Sequence, residues 1–79
     1  MTAIPEKVQR MSMRVEIGLT KALSLGKGKF SEFTVNELHG LKKCMESIRT
    51  GNEQRAKTQF VFSKKLTSKL PKAVVEFLK

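Results

Sequence analysis

The sequence predicts an all-α protein, a small bundle of three main helices followed by a short C-terminal helix. Two observations carry this prediction: apolar residues recur every three or four positions through most of the 79 residues, and Gly or Pro interrupts the pattern near residues 26–28, 51 and 71. A chain of this length can form only one domain, and we assign residues 1–79 to it. Its core must be small, which makes homodimerisation a reasonable expectation.

The first predicted helix covers residues 4–25. Pro5 suits its first turn, where the missing N–H group costs nothing. One stripe of this helix is apolar and is formed by Ile4, Val8, Met11, Val15, Leu19 and Ala22. A second, basic stripe, rotated roughly a quarter turn from the first, is formed by Lys7, Arg10, Arg14 and Lys21. The helix therefore presents a core face beside a basic face.

The segment LGKGKF, residues 25–30, ends this helix, because two glycines within three residues disfavour helical order. It does not match a P-loop, which needs a Gly-Lys-Ser/Thr ending, and Phe30 cannot supply a hydroxyl group to magnesium. We interpret the segment as a linker in which Lys27 and Lys29 could contact phosphate through charge alone.

The second predicted helix covers residues 35–50 and begins with the clearest local signal in the chain. Thr34 and Glu37 have the spacing of a capping box, and Phe33 and Leu38 have the spacing of a hydrophobic staple. The predicted buried face consists of Leu38, Leu41, Cys44, Met45 and Ile48.

Gly51 and Asn52 predict a tight turn into a third helix, at residues 53–69, that runs antiparallel to the second. Its inward residues are expected to be Ala56, Phe60, Leu66 and Leu70, although residues 59–62 have β character. Pro71 disfavours helical geometry at Leu70 and can begin a short fourth helix at residues 72–78.

Catalytic and metal chemistry have little support in the sequence. His39 is the only histidine, Cys44 is the only cysteine, and there is no aspartate. One chain therefore cannot build a metal site from the usual nitrogen and sulfur ligands, and a Ser-His-Asp triad is impossible. We expect a protein that is not an enzyme and needs no cofactor.

The cysteine usage and the absence of long apolar runs predict a cytoplasmic protein. A single cysteine cannot form an internal disulfide, which suits a reducing compartment. The N-terminal residues do not resemble a signal peptide, and no apolar run is long enough to span a membrane.

Charge is the strongest functional signal. Sixteen Lys and Arg residues against seven Glu residues give a net charge of +9, which attracts polyanions. We therefore expect DNA or RNA as the partner of a small regulator or accessory protein that binds the phosphate backbone. The candidate nucleic-acid-binding residues are Lys7, Arg10, Arg14, Lys21, Lys27, Lys29, Arg55, Lys64, Lys65, Lys69 and Lys72. The spacing alone leaves open whether these residues share one surface or occupy separate solvated faces.

Two finer modes of nucleic-acid recognition have weaker support. Asn52, Gln54 and Arg55 at the start of the third helix resemble a base-reading set, but the preceding turn does not match a helix-turn-helix well. Stacking on single-stranded bases has less support, since there is no Tyr or Trp and the phenylalanines fit core positions.

The alternative is a small protein-binding inhibitor or adaptor, of the kind that phage and mobile elements encode, which docks on an acidic protein surface. Its interface would use Met13, Val61 and Phe62, because these three apolar residues fall off the predicted core stripes. No motif in the chain is specific enough to indicate a family.

Overall fold

The computed structural model describes residues 4–26 and 28–79; the side chains of residues 29 and 61–66 lie outside this description. It contains four α-helices, and no strand occurs within these ranges, so the predicted all-α class is confirmed. The helices are α1 (Glu6–Leu25), α2 (Val35–Arg49), α3 (Glu53–Ser63) and α4 (Lys72–Leu78).

The second helix lies at the centre of the bundle. It packs against α1 on one side and against α3 on the other, while the short α4 contacts both α1 and α3. The apolar faces of the four helices meet in one core. Burial of these faces stabilises the helices, because isolated helices of this length are marginal in water. The fully buried side chains of the core include Leu19, Leu38, Leu41, Met45, Ile48 and Val74.

The predicted core face of α1 is confirmed. Four of its six residues are buried, namely Ile4, Val8, Leu19 and Ala22. The other two, Met11 and Val15, are half-buried against the core. The structure adds Ser12, a buried polar residue in the middle of this face. A sequence pattern built on apolar residues does not find such a position.

Two polar contacts join α1 to the end of α2. The Arg49 guanidinium donates a hydrogen bond of 2.7 Å to Glu16, and the Gln9 amide donates one of 3.3 Å to the carbonyl of Ile48. The hydrogen bond with Glu16 raises the pKa of Arg49. These contacts fix α1 against the end of α2.

The linker after α1 contributes to the core. Gly26 and Gly28 have φ angles of +128° and +51°, which side chains rarely tolerate. A 3₁₀ turn, Gly28–Phe30, then places Phe30 in the core with only 3% of its surface exposed. The segment is therefore a linker whose last residue is a core residue.

The capping box at the start of α2 is confirmed. The Glu37 amide donates a 3.2 Å hydrogen bond to the Thr34 hydroxyl, and the Thr34 amide donates a 2.9 Å hydrogen bond to the Glu37 carboxylate. This exchange satisfies two amide groups that have no partner within the helix. The buried face of α2 is also as predicted, with Ser47 added to it.

The turn between α2 and α3 has the two hydrogen bonds of a Schellman motif. Gly51 has a φ of +85°, and its amide donates to the carbonyl of Ile48 at 3.1 Å. The amide of Asn52 donates to the carbonyl of Ser47 at 2.8 Å. The Asn52 side chain then caps α3 by accepting a 3.0 Å hydrogen bond from the amide of Arg55. The predicted tight turn and N-cap are thus both present.

The α-helical part of the third segment is shorter than predicted. α3 ends at Ser63, and a 3₁₀ segment follows at Lys64–Lys69. Residues 59–63 have modest helix propensity, and Leu70 before Pro71 disfavours a continued α-helix. Residues 64–69 therefore have 3₁₀ spacing and not α-helical spacing.

The last segment follows the sequence prediction. α4 has the predicted bounds, and its residues Val74 and Leu78 are buried. Leu70, which precedes α4, is also buried, as expected. The Lys57 ammonium of α3 lies 5.5 Å from the ring centre of Phe77, a cation–π contact that connects α3 to α4.

Candidate functional site

An open groove lies between α1 and the residues that precede α4. It has a volume of about 550 Å³. We call it the α1 groove, and its lining residues are Met11, Arg14, Val15, Gly18, Phe30, Ser68, Lys69, Leu70 and Pro71. Three parts of the chain that are distant in sequence therefore meet there.

The apolar lining of the α1 groove is a consequence of the helix pattern. Met11 and Val15 are at the edge of the core face of α1, so each is only half-buried. Gly18 lies one turn farther along the same side, and a Cβ atom added there would have no neighbour within 4 Å. The missing side chain at Gly18 thus leaves this end of the groove open.

The lining of the groove includes two cations. Arg14 projects from α1, and Lys69 comes from the end of the 3₁₀ segment. The sequence predicted both as nucleic-acid-binding residues but could not tell whether they share a surface. The structure places both of them in the lining of one groove.

A smaller depression extends this basic surface along α1. Its lining consists of Lys7, Arg10, Met11 and Arg14, and its volume is about 150 Å³. Arg14 and Met11 belong to both depressions, so the basic stripe and the α1 groove form one continuous surface. The predicted basic stripe thus adjoins the apolar residues that line the groove.

The cations of this surface have few acidic neighbours. Within the described part of the chain, no carboxylate lies within 4.0 Å of Lys7, Arg10 or Arg14. Lys69 lies 3.8 Å from Glu32, whose side chain is 72% exposed. An exposed pair at this distance contributes little, since water and salt screen it. A bound anion could therefore replace Glu32 as the partner of Lys69.

The remaining described candidates lie at different distances from the groove. Lys21 is exposed on α1, three residues beyond Gly18, and Lys72 is exposed directly after Pro71. Both adjoin the groove lining in sequence. Arg55 is exposed in the first turn of α3 and lines neither depression.

Several predicted residues fall outside what the structure describes. Lys27 lies outside the described ranges altogether. The side chains of Lys29, Lys64 and Lys65 also lie outside the description, as do those of Val61 and Phe62.

Met13 is exposed to 45%, as its position off the core stripe predicted. The sequence prediction missed Ile17, which is exposed to 51% one turn farther along α1. The spacing of four residues places these two side chains on one face. By helical geometry this face lies beyond the basic stripe, on the side away from the α1 groove.

Cys44 is buried at the interface of α2 and α3, where its thiol donates to the carbonyl of Ala56 at 3.3 Å. Burial raises the pKa of this thiol to about 12, so it is not a nucleophile at neutral pH.

Among the described residues, no three His, Cys, Asp or Glu side chains are close enough together to hold a metal ion. No helix of the described chain has the length and apolarity needed to cross a membrane.

Sequence reasoning found the cations of the site but missed its concave surface. Gly18, Phe30 and Ser68 carry no charge and belong to three separate segments, so no spacing rule connects them. One local signal was present in the sequence. Gly18 has no side chain, so it leaves a gap in the surface of α1 between Arg14 and Lys21.

Comparison with protein-family models, with curated proteins and with solved structures finds no match to this chain.

Proposed function

We propose that this protein binds nucleic acid through the phosphate backbone, as a non-enzymatic regulator or accessory protein. The observation that supports the proposal best is the position of Arg14, which connects the basic stripe of α1 to the groove that also contains Lys69. Cations from both ends of the chain thus contribute to one surface.

The electrostatics of this surface favour phosphate binding. The net charge of +9 attracts a polyanion over a distance. Because Lys7, Arg10 and Arg14 have no acidic partner in the described structure, phosphate contacts there need not break an ion pair. Release of counterions from the nucleic acid then drives association.

We expect Arg10→Gln combined with Arg14→Gln to weaken binding to duplex DNA and RNA alike. The slope of log affinity against log salt should become shallower by about two units, because each lost phosphate contact removes about one. The measurement is fluorescence anisotropy over a salt series with labelled oligonucleotides.

The matched control is Lys42→Gln combined with Lys43→Gln on α2, which removes the same charge from residues that line neither depression. This variant should keep the slope of the unsubstituted protein. Equal losses in both variants would mean that the attraction is generic and that the stripe is not a binding surface.

A second candidate function is binding to an acidic protein surface, as an inhibitor or adaptor. The specific observation in its favour is the exposed pair of Met13 and Ile17 beside the basic stripe. Apolar anchors flanked by charge are typical of protein interfaces. In a pull-down, Met13→Ser combined with Ile17→Ser would abolish capture of such a partner, whereas nucleic-acid binding would not change.

A further inference from the structure

We infer that the α1 groove holds an unstacked base of a single-stranded nucleic acid, between phosphates bound by Arg14 and Lys69. This inference rests on the proposed function and makes it more specific. It names single strands, rather than duplexes, as the preferred partner.

The first argument is the arrangement of charged and apolar residues around the groove. Arg14 comes from α1, Lys69 comes from the segment before α4, and most of the other lining residues are apolar. A nucleic-acid strand has a complementary arrangement, since a base lies between successive phosphates. Only an unpaired strand can present that base, because the faces of bases in a duplex are stacked on their neighbours.

The second argument is the nature of the apolar lining. Met11, Val15 and Pro71 are only half-buried, so they offer apolar surface that the face of a base can cover. Methionine sulfur makes favourable contacts with aromatic rings. The apolar lining therefore needs no Tyr or Trp to bind a base, although its contact is weaker than aromatic stacking. Ser68 adds a hydroxyl group at the groove that can donate to or accept from a base edge.

The third argument is the row of basic side chains along α1 that leads to the groove. Lys7, Arg10 and Arg14 follow one another along α1 at intervals of about 4.5 and about 6 Å along the helix axis. Such a row suits a polymer with one negative charge on every unit. An acidic peptide with an apolar side chain could enter the groove, but it has no need of the whole row. The charge pattern thus favours a nucleic-acid strand over a peptide.

Gly18 offers a way to close the groove without changing any charge. A Cβ atom at this position would enter open space, and residue 18 lies within a helix where glycine is the less favourable choice. We expect Gly18→Leu to remain folded and to fill the groove. The matched control is Ser24→Leu, which adds the same side chain at an exposed position of α1 that does not line the groove.

The experiment compares three oligonucleotide probes of equal phosphate number by fluorescence anisotropy at one salt concentration. The probes are a thymidine single strand, the same strand with abasic sites, and a short duplex. The unsubstituted protein should bind the thymidine strand roughly fivefold more tightly than the abasic strand, because the base covers apolar surface. Gly18→Leu should remove this difference and leave abasic binding unchanged, and Ser24→Leu should retain it.

The other possible results would overturn the inference, and each has a different meaning. Equal binding of thymidine and abasic strands by the unsubstituted protein would leave phosphate binding intact and exclude a base in the groove. This comparison needs no variant, so it holds even if Gly18→Leu does not fold. Absence of binding to every probe at physiological salt would overturn the proposed function itself. If a Glu- and Leu-containing peptide binds and Gly18→Leu blocks only that peptide, the occupant of the groove is a protein.

Discussion

Cys44 shows how one buried residue can have a structural role and no chemical one. Its thiol is fully buried and donates a hydrogen bond to the carbonyl of Ala56, so it connects α2 to α3. The same burial disfavours the thiolate, which is the reactive form of cysteine. The raised pKa and the low reactivity therefore have a single cause.

We predict that Cys44 of the native protein does not react with a thiol reagent at pH 8. In urea above the unfolding transition, the thiol should react at the rate of a free cysteine. The measurement is the time course of colour release from an aromatic disulfide reagent in both conditions. Rapid labelling of the folded protein would contradict the burial of this thiol.

The same pKa shift predicts the direction of a pH effect. Burial raises the pKa of Cys44 from 9.0 to about 12. Between these values the unfolded chain loses the thiol proton and the folded protein keeps it, so this residue lowers the free energy of unfolding as the pH rises above 9. Cys44→Ala should show a smaller decrease over that range in urea titrations.

At the scale of the element, the turn between α2 and α3 depends on one backbone conformation. Gly51 adopts a φ of +85°, which allows the two hydrogen bonds of the Schellman motif. The turn brings Ser47 of α2 opposite Gln59 of α3, where the serine hydroxyl donates a 3.0 Å hydrogen bond to the amide oxygen. The antiparallel pairing of the two helices thus begins at this glycine.

We predict that Gly51→Ala lowers the free energy of unfolding by about 1 to 2 kcal/mol, since a side chain disfavours the left-handed conformation. Urea denaturation followed by circular dichroism measures the change. Gly18→Ala is the matched control: it lies in a helix with open space at the Cβ position, so it should stabilise the protein by about 1 kcal/mol. If both substitutions had the same effect, the conformation of Gly51 would not be the cause.

At the scale of the whole molecule, the charge balance acts on stability as well as on binding. A net charge of +9 on 79 residues makes the folded state repel itself. The described ion pairs, such as Lys57 with Glu53 at 3.0 Å, are partly exposed and offset little of this repulsion.

We therefore predict that the melting temperature rises with sodium chloride concentration between low and physiological ionic strength. Salt shortens the Debye length to about 8 Å at 0.15 M and screens the repulsion between like charges. Differential scanning calorimetry measures this shift. The charge-reduced Lys42→Gln, Lys43→Gln variant should respond less to salt. A melting temperature that falls with salt would show that ion pairs outweigh the repulsion.

Much of the fold follows from local patterns in the sequence. The capping box of Thr34 and Glu37, the turn at Gly51 and the buried face of α2 depend on residues within a few positions of one another, so spacing alone predicts them. The end of α3 at Ser63 was not predicted. The sequence indicates β character at residues 59–62, but it gives no signal for the residue at which α-helical geometry changes to 3₁₀ geometry.

The candidate site is predictable only in its charges. Composition and helical periodicity are enough to establish the all-α class, the basic stripe of α1 and the net charge, because they do not depend on contacts between distant residues. The tertiary structure decided that Arg14 and Lys69 line one groove, that Phe30 lies in the core and that Gly18 leaves one end of the groove open. These contacts join residues far apart in the chain, and only the packing of α1 against the segment before α4 brings them together.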